Sequence, residues 1–325
     1  MSVVAIHGLT ITMPDPGGLA LSPSIALRQL INFPVFAFLA LSGFFIRRAV
    51  FRGAGRSTAK TLKRVMIPYV IAFLITSALF HHGLLSSPQG LVMMLFAGKG
   101  ISIGYYVVVF LQFLILTPIL LRLRSAKAHL VAMVIGVVLG AVFTYSSVFV
   151  WSGHRLSAFP FRALPFFVWC PSFHLGLWLG LRPDIVARLK RGPVLIGLGA
   201  ALILSFLEAA VLAGHGIGLA SSQTKLTSIL VSVMVVLLVM APRTGSARPM
   251  TSTNLLIPLG QSSFFIYLYH LNFMRLAEKA SHYLPTAAAL RIPFVIVLTL
   301  VLTYLAAIVV RQLLGRRAAG RFFGV

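Results

Sequence analysis

Residues 128–150 read AHLVAMVIGVVLGAVFTYSSVFV, 23 positions without a charged side chain. At about 1.5 Å per helical residue the segment reaches about 35 Å, enough to cross a hydrocarbon core of about 30 Å. In lipid a helix satisfies every backbone polar group internally, which is what a segment inside the water-free hydrocarbon core requires. Arg122, Arg124 and Lys127 stand just before it. The stretch is a transmembrane helix, and most of the chain is built from segments of the same kind.

The composition agrees. Of 325 residues, 59% are hydrophobic and only 10% charged, with a mean hydropathy of +0.98. A soluble domain carries about a quarter charged residues, so a soluble enzyme, a disordered chain and a disulfide scaffold are excluded together. Apolar runs predict spans near 30–47, 65–85, 104–121, 128–150, 163–181, 193–212, 226–241, 254–274 and 289–313, after an apolar start at 2–13. The expected fold is all-α, a polytopic transmembrane helical bundle of about ten spans, forming one integral-membrane domain over 1–325. The stretch PQGLVMMLFAG at 88–98 is too short to cross and is expected at an interface or as a re-entrant piece.

The 28 Lys and Arg face only four acids, Asp15, Asp184, Glu208 and Glu278, for a net charge of +24. In a soluble chain this would suggest nucleic acid. In a membrane protein it reads as the basic bias of cytoplasmic loops, with anionic lipids as partners and no nucleic acid. A sharper alternative is a basic rim that receives a polyanionic ligand. The loop read at 47–64 carries Arg47, Arg48, Arg52, Arg56, Lys60, Lys63 and Arg64. With the clusters at 122–127, 182–191 and 243–248 and the tail after Arg311, 20 cations fall on one side and eight on or near the other. The split orients the chain in a cell (inner) membrane with the C-terminus cytoplasmic. Cys170 is the sole cysteine, so no intramolecular disulfide forms.

The 2–13 segment, SVVAIHGLTITM, reaches only about 18 Å before Pro14. No basic residue precedes it and no small-residue cleavage site follows, so it does not read as a cleaved signal. The expectation is the outer part of a first helix whose inner part lies upstream of the sequence as given.

Catalytic motifs of soluble enzymes are absent. There is no G-x-S-x-G elbow, and four acids leave little for a Ser-His-Asp triad. The run from Ala54 to Thr61 imitates a phosphate loop, but both required glycines are alanine. No His, Cys, Asp and Glu spacing suits a metal, so none is expected. What remains is histidine at membrane depth, costly enough to be a functional candidate. His7, His174 and His270 meet that test, whereas His129 and His282 sit near span ends and His154 and His215 in loops. For His174, FHLGLWLG also reads as a small-residue packing face. His270 shares a helical face with Ser263 and Tyr267, which suits a packing network as well as a binding site.

The residues resemble a family, the integral-membrane acyltransferases of the acyltransferase-3 group, which O-acylate sugars and cell-envelope glycans. VVAIHGLTI is similar to the end of that family's first helix, which carries its essential histidine. FPVFAFLALSGFFIRR resembles the second helix, with Ser42-Gly43-Phe44. AKTLKRVMIPYV resembles the basic R-x-x-x-R loop, with Lys60 in place of the first Arg, then Arg64 and Pro68. GYYVVVFLQFLILTPIL, FHLGLWLG and LGQSSFFIYLYHLNF follow in the family's order. The family's Arg or Lys eleven residues before its first histidine would precede Met1. Lys60 keeps a charge but lacks the bidentate fork of Arg.

The resemblance implies an O-acyltransferase moving an acyl group, acetyl by expectation, from cytoplasmic acyl-CoA to a hydroxyl of a glycan or lipid-linked sugar. His7 would be the general base or acyl relay, and Lys60 and Arg64 would hold donor phosphates. Ser42, Tyr105, His174, Tyr267 and His270 would line a substrate cavity. Acyl-CoA is then a co-substrate, with no metal or redox cofactor. The chemistry is consistent: a base near the alcohol is supplied by histidine at neutral pH, and phosphates suit Arg and Lys. The alternative is a transporter or flippase for a glycan precursor, without covalent chemistry, in which the histidines line a pathway. A membrane-embedded structural partner is a third reading.

Overall fold

The computed structural model describes residues 1–12, 22–51, 58–80, 87–98, 101, 103–151, 153–154, 157–215, 217–242, 256–283 and 288–325. Every regular element among them is a helix. The longer ones are α1 (Ser2–Thr12), α2 (Pro23–Ile31), α3 (Pro34–Phe51), α4 (Thr58–Phe80), α5 (Pro88–Ala97) and α6 (Tyr105–Leu120). They continue with α7 (Ala126–Phe149), α8 (Phe166–Leu181), α9 (Arg191–Leu212), α10 (Leu226–Met240), α11 (Ser263–Ser281) and α12 (Ala288–Phe322).

Among the described residues six segments are long and apolar enough to cross a membrane: 23–50, 59–80, 126–149, 161–181, 191–215 and 290–322. Shorter apolar helices α5, α6 and α10 accompany them. The chain is a multi-pass membrane protein with a polytopic helical bundle. Its outward surfaces confirm lipid as the solvent. On α7, Val131, Val134, Ile135, Val138 and Val142 are exposed at helical spacing; on α12, Val297, Val301, Leu305 and Val309 form one exposed stripe. In water such stripes would be a liability; against acyl chains they are the expected surface.

Span positions follow the sequence reading closely, with differences that have local causes. The 30–47 span splits: Ser22 caps α2, accepting from the Ile25 amide at 3.3 Å, and Pro23 opens it. Asn32 ends α2, and Pro34 starts α3. The 254–274 span starts later, because α11 opens at Ser263 after a separate short helix, Leu256–Gln261. α5 is the expected short helix, about 15 Å long, capped by Ser87 and ended by Gly98 at φ +67°, a left-handed conformation glycine adopts without strain.

The residues fall into two compact units: 1–14, 59–108 and 246–325, and 15–58 with 109–245. In the first, α1 packs against α11 and α12 through Val4, Ile266, Met274, Ala277 and Val295. Thr76 on α4 meets Asn272 on α11 at 3.0 Å, and Arg275 lies over the Phe80 ring at 4.1 Å.

In the second unit α8 packs between α3 and α7, α10 packs on α3 and α9, and α2 on α9. Glycine governs the α3–α8 contact. A Cβ on Gly43 would lie 2.5 Å from the Phe173 carbonyl, and one on Gly176 would run into the Ala40 carbonyl. Gly136 and Gly140 let α7 approach Cys170, Pro171 and Val168 of α8 in the same way. This is small-residue packing, the expected mode where lipid supplies no hydrophobic drive between helices.

Candidate active site

Six of the residues singled out in the sequence lie in the first unit: His7, Lys60, Arg64, Tyr105, Tyr267 and His270. The α1–α11 contact brings two of them together, since the His7 and His270 rings lie 5.5 Å apart between centroids, tilted by 47°. His7 is partly buried and His270 completely so. His270 Nδ1 lies 3.0 Å from the Ile266 carbonyl oxygen and 2.9 Å from that of Tyr267. The Tyr267 ring centroid is 6.3 Å from that of His270, and Tyr106 meets Tyr267 edge-on at 5.2 Å.

The tyrosines have their own task. Tyr267 donates its hydroxyl to the Ile103 carbonyl. Tyr69 donates to the Leu95 carbonyl at 2.7 Å. The first bond holds Ile103, just before α6, and the second the last turn of α5; a Cβ on Gly104 would lie 2.8 Å from the Gly98 carbonyl oxygen and from the Tyr69 hydroxyl. Tyr105 and Tyr106 open α6 and are buried. Tyr267 thus contributes ring surface beside His270, while its hydroxyl is committed to backbone.

Lys60 and Arg64 are exposed in the first two turns of α4, four residues apart on one face. Lys63 is exposed beside them. The loop read at 47–64 is shorter than expected, because α3 runs to Phe51 and α4 begins at Thr58. Arg52 and Arg56 lie outside the described residues.

Ser42 and His174 belong to the second unit. Ser42 donates to the Phe38 carbonyl at 2.7 Å, the back-bond a helix offers to a serine. His174 is 3% exposed, with Nδ1 2.9 Å from Nδ1 of a completely buried His129. Arg47 Nη2 lies 2.9 Å from His129 Nε2 and also donates to the Leu123 carbonyl, while Nη1 reaches the Leu121 carbonyl at 3.2 Å. His129 Nε2 also lies 3.0 Å from the Leu123 carbonyl oxygen; guanidinium only donates and carbonyl oxygen only accepts, so Nε2 faces a donor and an acceptor at once. No group of three or more His, Cys, Asp or Glu among the described residues could hold a metal.

The family model of the acyltransferase domain matches residues 1–308. The chain belongs to the acyltransferase-3 family. It is therefore a membrane acyltransferase, acting between an acyl donor and an acceptor, and the transporter reading is set aside. Comparison with curated proteins and with solved structures returned no match.

Two buried polar networks of this acyltransferase were not visible as sites in its sequence. Arg47 has the sequence position of a loop cation and His129 that of a span-end residue, yet both are buried. The second network centres on Lys225, completely buried, with Nζ 3.3 Å from Glu208 Oε2 and 2.9 Å from the hydroxyls of Ser205 and Thr227. Tyr145 donates to the other Glu208 oxygen. Ser205 donates to Gln29 at 2.9 Å, and Gln29 donates to the Ala220 carbonyl at 3.2 Å, which fastens α2 to the stretch after α9. A lone glutamate near the end of an apolar span was the signal available, since such a charge needs a partner. Asp184, by contrast, is an exposed partner of Arg182, whose hydrogen bonds hold its carboxyl down at about 2.

Proposed function

We propose that this acyltransferase moves an acyl group, acetyl in the simplest case, from cytoplasmic acyl-CoA to a hydroxyl of a glycan or lipid-linked sugar in the cell (inner) membrane. His7 is the general base of the transfer or the carrier of the acyl group. Lys60 and Arg64 bind the phosphates of the donor.

The observation that carries this reading is the apposition of His7 and His270 in the unit that also contains α4. Arg64 and Thr76 are separated by 12 residues, about 18 Å along the helix axis. Thr76 meets Asn272, two residues beyond His270. Exposed cations at one end of α4 and imidazoles near the level of its other end are spaced as a long, phosphate-headed thioester would need. The extended pantetheine arm of coenzyme A has that reach. Aromatic rings of Tyr106 and Tyr267 beside His270 would exclude water, which otherwise competes with the acceptor hydroxyl.

Membrane vesicles from cells making the protein, supplied with [14C]acetyl-CoA, should accumulate base-labile label, the signature of an ester. His7→Gln should abolish incorporation while acetyl-CoA binding persists. Full incorporation by His7→Gln would remove His7 from the chemistry, and wild-type vesicles that neither bind nor consume acetyl-CoA would overturn the donor class.

A further inference from the structure

His270 is constrained more tightly than its neighbours. Two carbonyl oxygens, those of Ile266 and Tyr267, lie within 3.0 Å of its Nδ1. Carbonyl oxygen only accepts, so Nδ1 carries the proton. In the neutral ring Nε2 is then a bare lone pair. That nitrogen has no partner among the described residues, although the residue is completely buried. A buried acceptor left unmet is rare in native structures and calls for a reason. If the ring served only to tie down its own helical turn, Nδ1 would suffice, and the second nitrogen would be a defect.

The imidazole of His7, on another helix, lies 5.5 Å away between ring centroids. For one nitrogen of His7 to act as a base, its proton must rest on the other. An acceptor-only nitrogen next to His7 selects that state, because it can receive an N–H and cannot donate one. The arrangement parallels the role of the third group in nucleophile–base triads, which holds the imidazole tautomer and orientation rather than reacting itself. With four acids in the chain, a neutral imidazole of fixed tautomer takes the place usually filled by a carboxylate.

We infer that His270 is a positioning residue for acyl transfer: its Nε2, unpaired in the structure, accepts the His7 N–H as the substrates bind, orienting the His7 ring so that the opposite nitrogen takes the proton of the acceptor hydroxyl. In that step the hydroxyl oxygen bonds to the thioester carbonyl carbon, the carbon–sulfur bond breaks, and the proton held by His7 passes to the departing thiolate. The inference rests on His7 being the base.

Two substitutions at the same position separate this role from a structural one. An asparagine amide reaches the place of Nδ1 and can still serve the Ile266 and Tyr267 carbonyls, but offers nothing at Nε2. A glutamine amide reaches the place of Nε2 and can present its oxygen to His7. Rates of [14C]acetyl ester formation in vesicles are normalised to acetyl-CoA-binding sites, so that partial misfolding does not enter. His270→Gln should stay within about tenfold of wild type, while His270→Asn should fall by about 100-fold or more in maximal rate, the scale of a positioned base. The acetyl-CoA KM should change less than about twofold in both, because only the chemical step is lost. Activity of His270→Asn equal to or above that of His270→Gln would overturn the inference, as would loss of acetyl-CoA binding in both variants. His7→Gln is assayed in parallel. If it is inactive while His270→Asn is active, the positioning role alone fails; if it is fully active, the base assignment fails and the role of His270 with it.

Discussion

Arg47 lies with Nη2 2.9 Å from His129 Nε2, although 82 residues separate them. Arg47 is 4% exposed and ends against carbonyls just beyond the C-terminus of α6. A cation there complements the negative end of the helix dipole and meets carbonyls that the helix leaves unpaired. The pair belongs to a buried chain of contacts from Arg47 through His129 to His174, fully inside the second unit.

Arg47→Lys should therefore be destabilising rather than conservative. A single ammonium cannot reach the Leu121 and Leu123 carbonyls and His129 together. Each charged hydrogen bond lost costs about 1.5–3 kcal/mol. Thermal unfolding in detergent micelles should show a marked fall in midpoint; a midpoint equal to wild type would reduce Arg47 to a topology signal.

Gly176→Ala should be costly for a different reason. Its added methyl meets the Ala40 backbone, which cannot swing aside, and overpacking of this kind costs about 1–3 kcal/mol. Gly199→Ala on α9 is the control, since nothing lies within 4 Å of its Cβ. That change should be neutral or stabilising by about 0.5–1 kcal/mol. Equal effects of the two would contradict the close approach of α3 and α8.

Arg64→Ala should raise the acyl-CoA KM by roughly 10- to 150-fold if one charged phosphate contact is lost. Arg64 is exposed, so the fold should be unaffected. Lys60→Arg should be tolerated or improve binding. Steady-state kinetics with acetyl-CoA decide it, an unchanged KM counting against the phosphate role.

Lys225 and Glu208 should behave as a coupled pair. Lys225→Met leaves the Glu208 carboxylate in the network without its cation and should cost about 3–5 kcal/mol. Adding Glu208→Gln should recover part of the loss, since the stranded charge disappears with it. A double-mutant cycle on unfolding reads the coupling, and strict additivity would show that the two do not interact.

The charge split predicts that the α4 start and the C-terminal tail share the cytoplasmic side, which is testable at exposed positions. Ala59→Cys and Arg317→Cys, each in a Cys170→Ala background, should both resist an impermeant thiol reagent in intact cells and react after permeabilisation. Reaction of either in intact cells would place the donor side wrongly.

Segment 128–150 could be read as a helix from its own residues, because crossing a bilayer depends on summed transfer free energies and length, both local. The same holds for α8, α9 and α12, and for the short α5, whose ten residues cannot span. Ordered motifs from VVAIHGLTI to LGQSSFFIYLYHLNF carried the family, since each is a fixed spacing along one helix. The glycines of FHLGLWLG announced close packing, and Gly176 supplies it.

Partners were a different matter. That His7 meets His270 across 263 positions, or that His129 meets His174, depends on how each helix is rotated about its axis. Helices in lipid are apolar nearly all round, so their sequences carry little signal for which face turns inward. Arg47 shows the same limit: as a letter it is one more cation at a span end, and only the packing of α3 on α8, with the carbonyls of Leu121 and Leu123 at its tip, makes it a buried donor. The all-helical membrane architecture, the composition and the family were therefore legible in the chain itself. The pairings that would do the chemistry exist only once the helices are packed, because they join residues that no local interaction connects.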